Sequence, residues 1–519
     1  MRSTFHLLET SKRSLFAHQA SLSTTGHNIA NANTAGYSRQ IANLVNSRPI
    51  EAPGMQHSTA PGQIGTGVEV SYIRRVRESF LDDQFRNENK SLGEWGIQSD
   101  TLQKLEAIMN EPTDSGIRTL MDNFWKSWSD LSKNPESKSG RVIVKENAIA
   151  LADAFNATHK QLSDLQNDLS DNIQIKADQV NSITSSIANL NLQIRKVEAL
   201  GDDANDLRDQ RDNLTDELSK IVNIRSREVV PDGYLIEMGG TTLVDRDTSQ
   251  QVTQESLEEA YVAGDLNSGE VTGMIVSRDR IVNAYIQELN SLADTIANGK
   301  IEVTLPAGSV VPEGTVINGT VYTGAGRTLT ADTTVIVEGI NGLHKLGYAS
   351  TNPLEPGSDF FTFTKGGNGA AANIGLNAYL ISNPEKIVAS MRTVTGPGGE
   401  TVVNGNNTIA LIMTKLKDTK FTFNSGGGAP VQGTVDDFFR SVVGKLGVET
   451  KEANRQVDNQ TAILEQVDSR KQSVSGVSLD EEMSNMVKFQ HAYSAAARVM
   501  TTFDEMLDKV INGMGVVGR

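Results

Sequence analysis

Apolar side chains recur at every seventh position near the end of this chain, and this repeat constrains the fold more than any other feature. The repeat consists of Leu479, Met486, Tyr493, Met500, Leu507 and Met514. A second row lies beside it and consists of Phe489, Ala496, Phe503 and Val510. A helix with so wide an apolar face presents more surface than one partner helix covers. We therefore expect this helix to pack against at least two neighbours.

A shorter repeat of the same kind opens the chain. Leu8, Leu15, Leu22 and Ile29 again stand seven positions apart, and this spacing predicts an amphipathic first helix. Because the two ends of a domain usually lie close together, we expect the terminal helices to pack on each other. The residues between them then form inserted domains.

The stretch GHNIANANTAGY ends this first helical pattern. Asparagine and glycine tolerate left-handed backbone angles, and asparagine amides bond main-chain groups that are freed at a helix end. We expect the amides to terminate the helix, the second glycine to supply a left-handed angle, and the tyrosine to pack the following strand onto the helices. These residues are Asn28, Asn31, Asn33, Gly36 and Tyr37.

The middle of the chain changes character twice. Residues 136–230 contain no proline, and apolar residues between positions 162 and 197 step by threes and fours, which predicts a long helical hairpin or bundle arm. Residues 231–245 read as hairpin strands around glycines. Residues 299–338 are β-branched and glycine-rich without a helical period, so they predict a small β insert.

These patterns together predict an α+β multidomain protein. The expected fold has a coiled-coil-like core made by the N- and C-terminal helices, a long helical bundle and β-rich outer domains. The terminal core is expected to comprise residues 1–110 with 450–519. The bundle is expected at residues 111–230, and the β-rich outer region at residues 231–450, including the insert at 299–338.

Charge and composition narrow the classes of function. The net charge of −16 argues against a nucleic-acid partner or an anionic membrane. The chain has no cysteine, which excludes disulfides, thiol nucleophiles and cysteine metal sites. Its first residues are charged where a signal peptide needs an apolar run, and no stretch has the apolar length of a membrane span. We expect a cytosolic protein, or one exported without a cleaved signal peptide.

A search for reactive groups yields no catalytic constellation. The seven histidines lack the spacing of a zinc protease, and neither a serine nucleophile elbow nor a phosphate-binding loop is present. The acid pair Glu481–Glu482 is expected to be solvated at a helix N-terminus. The sequence therefore predicts no catalytic residue, no cofactor, no metal site and no enzymatic activity.

Several segments carry a resemblance to a known family. They are the stretch from Asn28 to Tyr37, GTGVEVSYIRRVRESFLDDQFR at 65–86, and SGVSLDEEMSNMVKFQHAYSAAARVMTTFDEMLDKVI at 475–511. Their order resembles the bacterial flagellar axial proteins, the family of rod, hook and hook-associated proteins. Within it, DANDLRDQRDNLTDELS at 203–219 and INGLHKLGY at 340–348 resemble the hook-associated protein 1 type of the first hook–filament junction. The insert interrupts a helix that the resemblance leads us to expect as continuous.

The resemblance implies a structural role outside the cell. It implies that the terminal helices of many copies pack into a tube wall, as a ring between the hook and the second junction protein. The implied partners are other copies of the chain, the hook protein, the second hook–filament junction protein, an export chaperone and the flagellar type III export apparatus, with no nucleic acid and no membrane insertion. The implied location is the extracellular flagellum, reached by export without a cleaved signal peptide.

The apolar terminal helices also suggest that folding is coupled to assembly. Burying one large apolar side chain contributes about 1.5–3 kcal/mol, and ordering the chain offsets most of that gain. We expect mobile ends in a single copy, and amides that bond between neighbouring subunits. The expected interface residues are Leu8, Leu15, Leu22, Ile29, Asn28, Asn31, Asn33, Gly36, Tyr37, Leu479, Met483, Met486, Phe489, Tyr493, Met500, Phe503 and Leu507.

Alternative interpretations stay open at this point. The terminal helices could form an ordinary pair within one copy. The chain could be another flagellar axial protein, such as a hook or rod subunit. A secreted enzyme housed in the central region would have only His344 there as a candidate histidine. The insert could also add an adhesive role.

Overall fold

A computed structural model describes residues 5–49, 65–109, 116–229, 233–364, 369–397, 399–424 and 430–513 of the chain. The last member of the C-terminal repeat, Met514, lies outside these residues. None of the described helices is both long and apolar enough to span a bilayer.

Long helices carry most of the described structure. They are, in chain order, α1 (His6–Ala30), α2 (Ser79–Met109), α3 (Ile117–Lys133), α4 (Lys138–Glu198), α5 (Asn205–Ile221), α6 (Gln254–Ala263), α7 (Glu270–Val276), α8 (Asn283–Asn298), α9 (Gly339–Lys345), α10 (Ala370–Asn373), α11 (Ala378–Ser382), α12 (Thr408–Lys415), α13 (Val435–Ser475) and α14 (Leu479–Gly513). A π-helical segment, Ser277–Val282, joins α7 to α8. Helix α4 reaches 61 residues because no proline interrupts it.

The strands are short and pair antiparallel. They are β1 (Gln40–Asn46), β2 (Val68–Arg75), β3 (Arg225–Val229), β4 (Gly233–Met238), β5 (Thr241–Asp245), β6 (Thr248–Ser249), β7 (Lys300–Leu305), β8 (Thr315–Ile317), β9 (Thr320–Tyr322), β10 (Thr333–Glu338), β11 (Phe361–Phe363), β12 (Ile374–Leu376), β13 (Thr393–Gly396), β14 (Gly399–Val402), β15 (Phe421–Phe423) and β16 (Val431–Gly433). One sheet has the order β3-β4-β5-β6. The remaining strands pair as β1–β2, β7–β10, β8–β9, β11–β12, β13–β14 and β15–β16.

The chain divides into two compact units. The first unit comprises Met1–Glu94, Gln174–Thr272 and Asp458–Arg519, and the second comprises Trp95–Ile173 and Gly273–Val457. Helices α1 and α14 therefore belong to the same unit although they lie at opposite ends of the sequence. The three-part division expected from the sequence stays a prediction.

In the first unit, helix α1 packs against α14 and against the β1–β2 hairpin. The hairpin runs in register from Gln40 opposite Arg75 to Asn46 opposite Val68, with a bulge after Asn43. The sheet β3-β4-β5-β6 has an alternating β4 strand that buries Ile236 on one face. Successive side chains of a strand point to opposite faces of the sheet, so burial alternates when one face is covered more than the other.

The core of the second unit is aromatic. Helix α3 carries Phe124 and Trp128 four positions apart, so both side chains lie on one face. They meet Phe360 and Phe361, with ring centroids 5.6 Å apart for Trp128 and Phe360 and 5.9 Å apart for Phe124 and Phe361. All four side chains are fully buried.

The segment expected to be a small β insert folds into strands in the second unit. Strands β7 and β10 pair between the end of α8 at Asn298 and the start of α9 at Gly339. Strands β8 and β9 form a hairpin whose turn, Asn318–Gly319, has positive φ angles of 48° and 80°. Such angles favour asparagine and glycine in a two-residue turn. Helices α8 and α9 are thus separated where the family resemblance suggested one helix, and the α+β multidomain class is confirmed.

Candidate assembly surface

Small and polar side chains fill the buried face of α1. The buried residues of this helix are Ser11, Ala17, Ser21, Thr24, Thr25 and Asn28. Side chains of this size let neighbouring backbones approach closely, since interaxial distance depends on the residues at the contact. On the partner helix α14, Ala496 is buried, and the Phe489 ring lies 6.3 Å from the imidazole of His18. Within one copy, the fully buried face of α1 therefore consists of small and polar side chains and not of large apolar ones.

Asn28 is the most saturated polar group of the pair and is 1% exposed. Its Oδ1 accepts hydrogen bonds from the Gln40 backbone N–H at 3.0 Å and from the Tyr37 hydroxyl at 2.8 Å. Its Nδ2 donates to the Gln40 carbonyl at 2.8 Å and to Glu482 Oε2 at 3.0 Å. An asparagine side chain forms four such bonds at most in this geometry. Asn28 therefore ties α1, β1 and α14 together within a single chain.

Glu482 corrects one expectation from the sequence. Its adjacent acid Glu481 is solvated as expected, with a side chain 63% exposed, but Glu482 is 2% exposed. Glu482 Oε1 accepts a hydrogen bond from Arg39 Nε at 2.8 Å, while Arg39 Nη1 lies 2.8 Å from Glu481. The reason for the error is the strand hairpin, which places Arg39 against the start of α14.

The turn after α1 follows its sequence in part. Gly36 has φ of +77°, the left-handed angle expected of it, and a Cβ there would lie 3.1 Å from Asn213 Oδ1. Asn31 instead has φ of −101°, and its amide donates to the His27 carbonyl at 3.1 Å. Asn33 is exposed. Burial, followed by the nearby carboxylates of Asp206, Asp209 and Glu482, raises the pKa of Tyr37, so its hydroxyl stays a donor.

A buried ion cluster holds the β1–β2 hairpin on helix α5. Arg75 Nη1 lies 2.7 Å from Asp209 Oδ1 and 2.8 Å from Asp212 Oδ2. Arg77 pairs with Asp82 at 2.6 Å, and Arg86 donates to Asp216 at 2.7 Å. The other members are Ser38, whose backbone N–H donates to Asp209, and Lys471, which lies 2.6 Å from Asp216.

The charges of this cluster determine how its carboxylates titrate. Burial opposes ionisation of Asp212, but the guanidinium groups of Arg77 and Arg75 outweigh it and lower the pKa of Asp212 to about 2. The pairing of these arginines with the aspartates of α5 was not predicted from the sequence. A signal was present, because Asp206, Asp209, Asp212 and Asp216 are spaced by threes and fours and so share one face of α5.

The apolar residues expected at the interface fall into two groups. The half-buried group is Leu8, Leu15, Leu22, Ile29, Met486, Phe489, Met500, Phe503 and Leu507. The exposed group is Leu479, Met483 and Tyr493, of which Met483 is 60% exposed. Further exposed apolar residues on the two helices are Phe5, Leu7, Phe16, Val487, Val499, Met506, Val510 and Ile511. Apolar rows thus run outward along both helices, where one copy leaves them uncovered.

His344, the candidate histidine of the central region, uses both ring nitrogens in hydrogen bonds to the main chain. His344 is fully buried, with Nδ1 2.6 Å from the Ser358 carbonyl and Nε2 accepting from the Val388 backbone N–H at 3.1 Å. Burial lowers its pKa to about 4, so the ring is neutral with its proton on Nδ1. Within the described parts of the chain, no three His, Asp or Glu side chains are arranged to hold a metal ion.

Comparison with known proteins yields matches along the chain. The family described as "Flagellar hook-associated protein FlgK helical domain" matches residues 102–300. The family described as "Flagellar basal body rod FlgEFG protein C-terminal" matches residues 452–513. The second match includes the whole of α14, so the exposed apolar residues of this helix lie in a segment that is similar to the C-terminal part of rod proteins.

Full-length relatives and a solved structure extend these matches. "Flagellar hook-associated protein 1" of Bacillus subtilis (strain 168) is 36% identical over 100% of both chains. The protein of the same name from Escherichia coli (strain K12) is 26% identical over 98% of this chain and 99% of that protein. The fold is similar to "the flagellar hook junction protein FlgK from Burkholderia pseudomallei", with a TM-score of 0.53, 14% identity, and coverage of 76% of this chain and 100% of that chain.

Proposed function

The chain belongs to the flagellar hook-associated protein 1 family, and we propose on this basis that its terminal helices assemble copies of it into a ring that joins hook to filament. The family consists of structural flagellar proteins, so the chain is a structural component of the flagellum and not an enzyme. Its full-length relatives are hook-associated proteins, which favours a junction component over a hook or rod subunit.

The observation that carries the proposal is the outward apolar surface of α1 and α14. Phe16 is 59% exposed on α1, and Met483 is 60% exposed on α14. Soluble monomers rarely expose contiguous apolar rows, and such rows commonly mark interaction sites. The apolar residues among the predicted interface set, which are half-buried or exposed in one copy, supply the surface that neighbouring copies cover in this proposal.

Energetics favour coupling between the folding of these helices and assembly. Fully burying a large apolar side chain contributes about 1.5–3 kcal/mol, so each half-exposed residue leaves about half of that unrealised in one copy. Among the described residues of the two helices, Ala17 and Ala496 are the apolar ones that are fully covered. Helix α3, by contrast, buries Phe124 and Trp128 completely. The terminal pair therefore leaves about half of its available hydrophobic stabilisation to contacts with other subunits.

The finer parts of the proposal concern partners and route. The ring lies between the hook protein and the second hook–filament junction protein. An export chaperone covers the C-terminal helix before secretion, since its exposed methionines, Met483 and Met506, suit a surface that fits more than one partner. The flagellar type III apparatus exports the chain without signal cleavage to the extracellular flagellum.

Full-length variants of the outward row test the proposal. In a strain that lacks the chromosomal copy, we expect Met483→Glu combined with Val487→Glu to leave hooks without attached filaments and to release filament protein into the medium. The physical reason is that two carboxylates on this surface would be desolvated by a neighbouring copy. Electron microscopy of the cell surface and motility in soft agar are the measurements.

The matched control is Ser484→Glu combined with His491→Glu, which adds the same two charges on the same helix at exposed polar positions. This variant is expected to attach filaments normally. The proposal is wrong if cells with both changes at Met483 and Val487 carry normal filaments while the variant protein reaches the medium at wild-type levels.

A further inference from the structure

We infer that Asn28, Arg39 and Glu482 form a terminal latch, which positions helix α14 on helix α1 within each single copy. This inference rests on the proposed function and refines it. The latch holds the base of the helix pair closed before assembly, so that the folding of the parts of α1 and α14 away from it, but not of the base itself, depends on other subunits. It also sets which residues of α14 lie opposite which residues of α1.

The latch joins residues that are far apart in sequence. Asn28 and Glu482 are separated by 454 positions, and Arg39 and Glu482 by 443. The Arg39 backbone N–H also donates to the carbonyl of Ser475 at 2.8 Å, so the end of α13 is fixed to the same strand. The end of α1, the residue before β1, the end of α13 and the start of α14 thus meet at the latch.

Burial makes this contact specific. Glu482 is a carboxylate at 2% exposure, and a carboxylate out of water is tolerated only when its oxygens are bonded. One oxygen is bonded by Asn28 Nδ2 and the other by Arg39 Nε. A shift of α14 by one turn along α1 would leave Glu482 buried without these donors and Asn28 without an acceptor. The latch therefore excludes alternative alignments more strongly than the apolar contacts do, because apolar contacts tolerate sliding.

The environment of the latch differs from that of the distal helix ends. Near the latch, Asn28 and Thr25 are buried, and Gln40 and Tyr37 add hydrogen bonds. Away from the latch, Phe5 and Leu7 on α1 and Met506 and Val510 on α14 are exposed. The pre-formed base therefore comprises the C-terminal end of α1 and the N-terminal end of α14. The opposite ends of the two helices depend on assembly, so the boundary lies within each helix.

Hydrogen–deuterium exchange on the full-length chain in dilute solution tests the latch. In the wild-type chain we expect residues 24–30 and 480–486 to exchange more slowly than residues 6–12 and 503–510. Glu482→Ala should accelerate exchange of both base segments by roughly tenfold or more, since a buried charge-assisted network is lost. Glu482→Gln keeps an acceptor for Asn28 and should give an intermediate acceleration.

The matched control is Glu481→Ala, which removes an adjacent glutamate that also contacts Arg39 but is solvent-exposed. We expect this variant to exchange within roughly twofold of wild type, since exposed ion pairs contribute little. Asn28→Ala and Asn33→Ala form a second pair, with an effect expected only from the buried asparagine. Exchange of strand β4 serves as the check that the rest of the unit stays folded.

Two results would overturn the latch. One is a wild-type chain whose base segments exchange as fast as its helix ends. The other is equal exchange in Glu482→Ala and Glu481→Ala; if Glu482→Ala also loosens β4, the comparison of Glu482→Gln with Glu481→Gln decides in the same way. If the Met483 and Val487 variant still detaches filaments in either case, the assembly role stands and the latch alone is wrong.

Discussion

Asp212→Asn should destabilise the first unit by about 3 kcal/mol, because asparagine keeps the shape of aspartate and removes its charge. Asp212 lies 2.8 Å from Arg75 and 3.4 Å from Arg77 and is nearly buried. The fall of its pKa from 3.8 to about 2 corresponds to about 2–3 kcal/mol of stabilisation at neutral pH, since one pKa unit equals about 1.4 kcal/mol. Breaking a buried ion pair from one side costs about 3–5 kcal/mol in other proteins, so the expected loss of about 3 kcal/mol lies at the lower end of that range.

The three tryptophans, Trp95, Trp125 and Trp128, all lie in the second unit, so fluorescence does not report this change. Hydrogen exchange of α5 and β4 in the full-length chain does. A loss of about 3 kcal/mol accelerates their exchange by about a hundredfold wherever exchange follows local unfolding equilibrium. The control is Asp206→Asn on the same helix, whose side chain is 56% exposed and whose change should matter little.

The pH dependence gives a second measurement of the same residue. The folded-state pKa of Asp212 lies below its unfolded value, so its stabilisation is complete above about pH 4 and is lost as the pH falls toward 2. Asp212→Asn should lack this component. Equal stability of the Asp212 and Asp206 variants at neutral pH would show that the guanidinium groups do not depend on this carboxylate, and the reasoning would be refuted.

Three further predictions concern other parts of the chain. The pKa of His344 is about 4 in the folded state and 6.5 in the unfolded state, so the free energy of unfolding of the second unit should fall by up to about 3 kcal/mol between pH 6.5 and pH 4. Tryptophan fluorescence during urea unfolding measures this, and a free energy of unfolding that does not change with pH would contradict it. Trp128→Ala should cost the same unit about 3–5 kcal/mol, because a fully buried indole leaves a cavity; an unchanged urea midpoint would contradict this. At Gly26 a Cβ meets nothing within 4 Å, so Gly26→Ala should stabilise α1 by about 0.5–1 kcal/mol, measured as slower hydrogen exchange. Gly36 has φ of +77°, so Gly36→Ala should destabilise the turn after α1 by about 1–2 kcal/mol. Equal effects of the two changes on exchange would contradict this argument.

The spacing of apolar residues predicted helices and strands well wherever one helical or strand periodicity dominates a segment. The hairpin strands expected within residues 231–245 are β4 at Gly233–Met238 and β5 at Thr241–Asp245. The long stretch without proline is largely the single helix α4. Such elements depend on near neighbours in sequence, so hydrophobic spacing and proline placement are sufficient to find them.

Pattern was less informative about what each residue does. The sevenfold repeat of α1 pointed to Leu8 and Leu15, yet the residues fully buried on that helix are small or polar, as at Ala17 and Ser21. Asn28 was expected to serve the helix end and to bond neighbouring subunits, but within one chain its four hydrogen-bonding positions are occupied. These outcomes depend on partners hundreds of positions away, which periodicity does not encode.

The composition of the first unit also imposes an order of events on a chain that is synthesised from its N-terminus. Asn28 and Arg39 emerge early, but the carboxylate that completes their bonding belongs to Glu482 and emerges among the last residues. A product that ended before α14 would lack the carboxylate that bonds the Arg39 guanidinium and the Asn28 amide. Such a product could not fix α14 on α1, so the closure of the first unit depends on the last part of the chain.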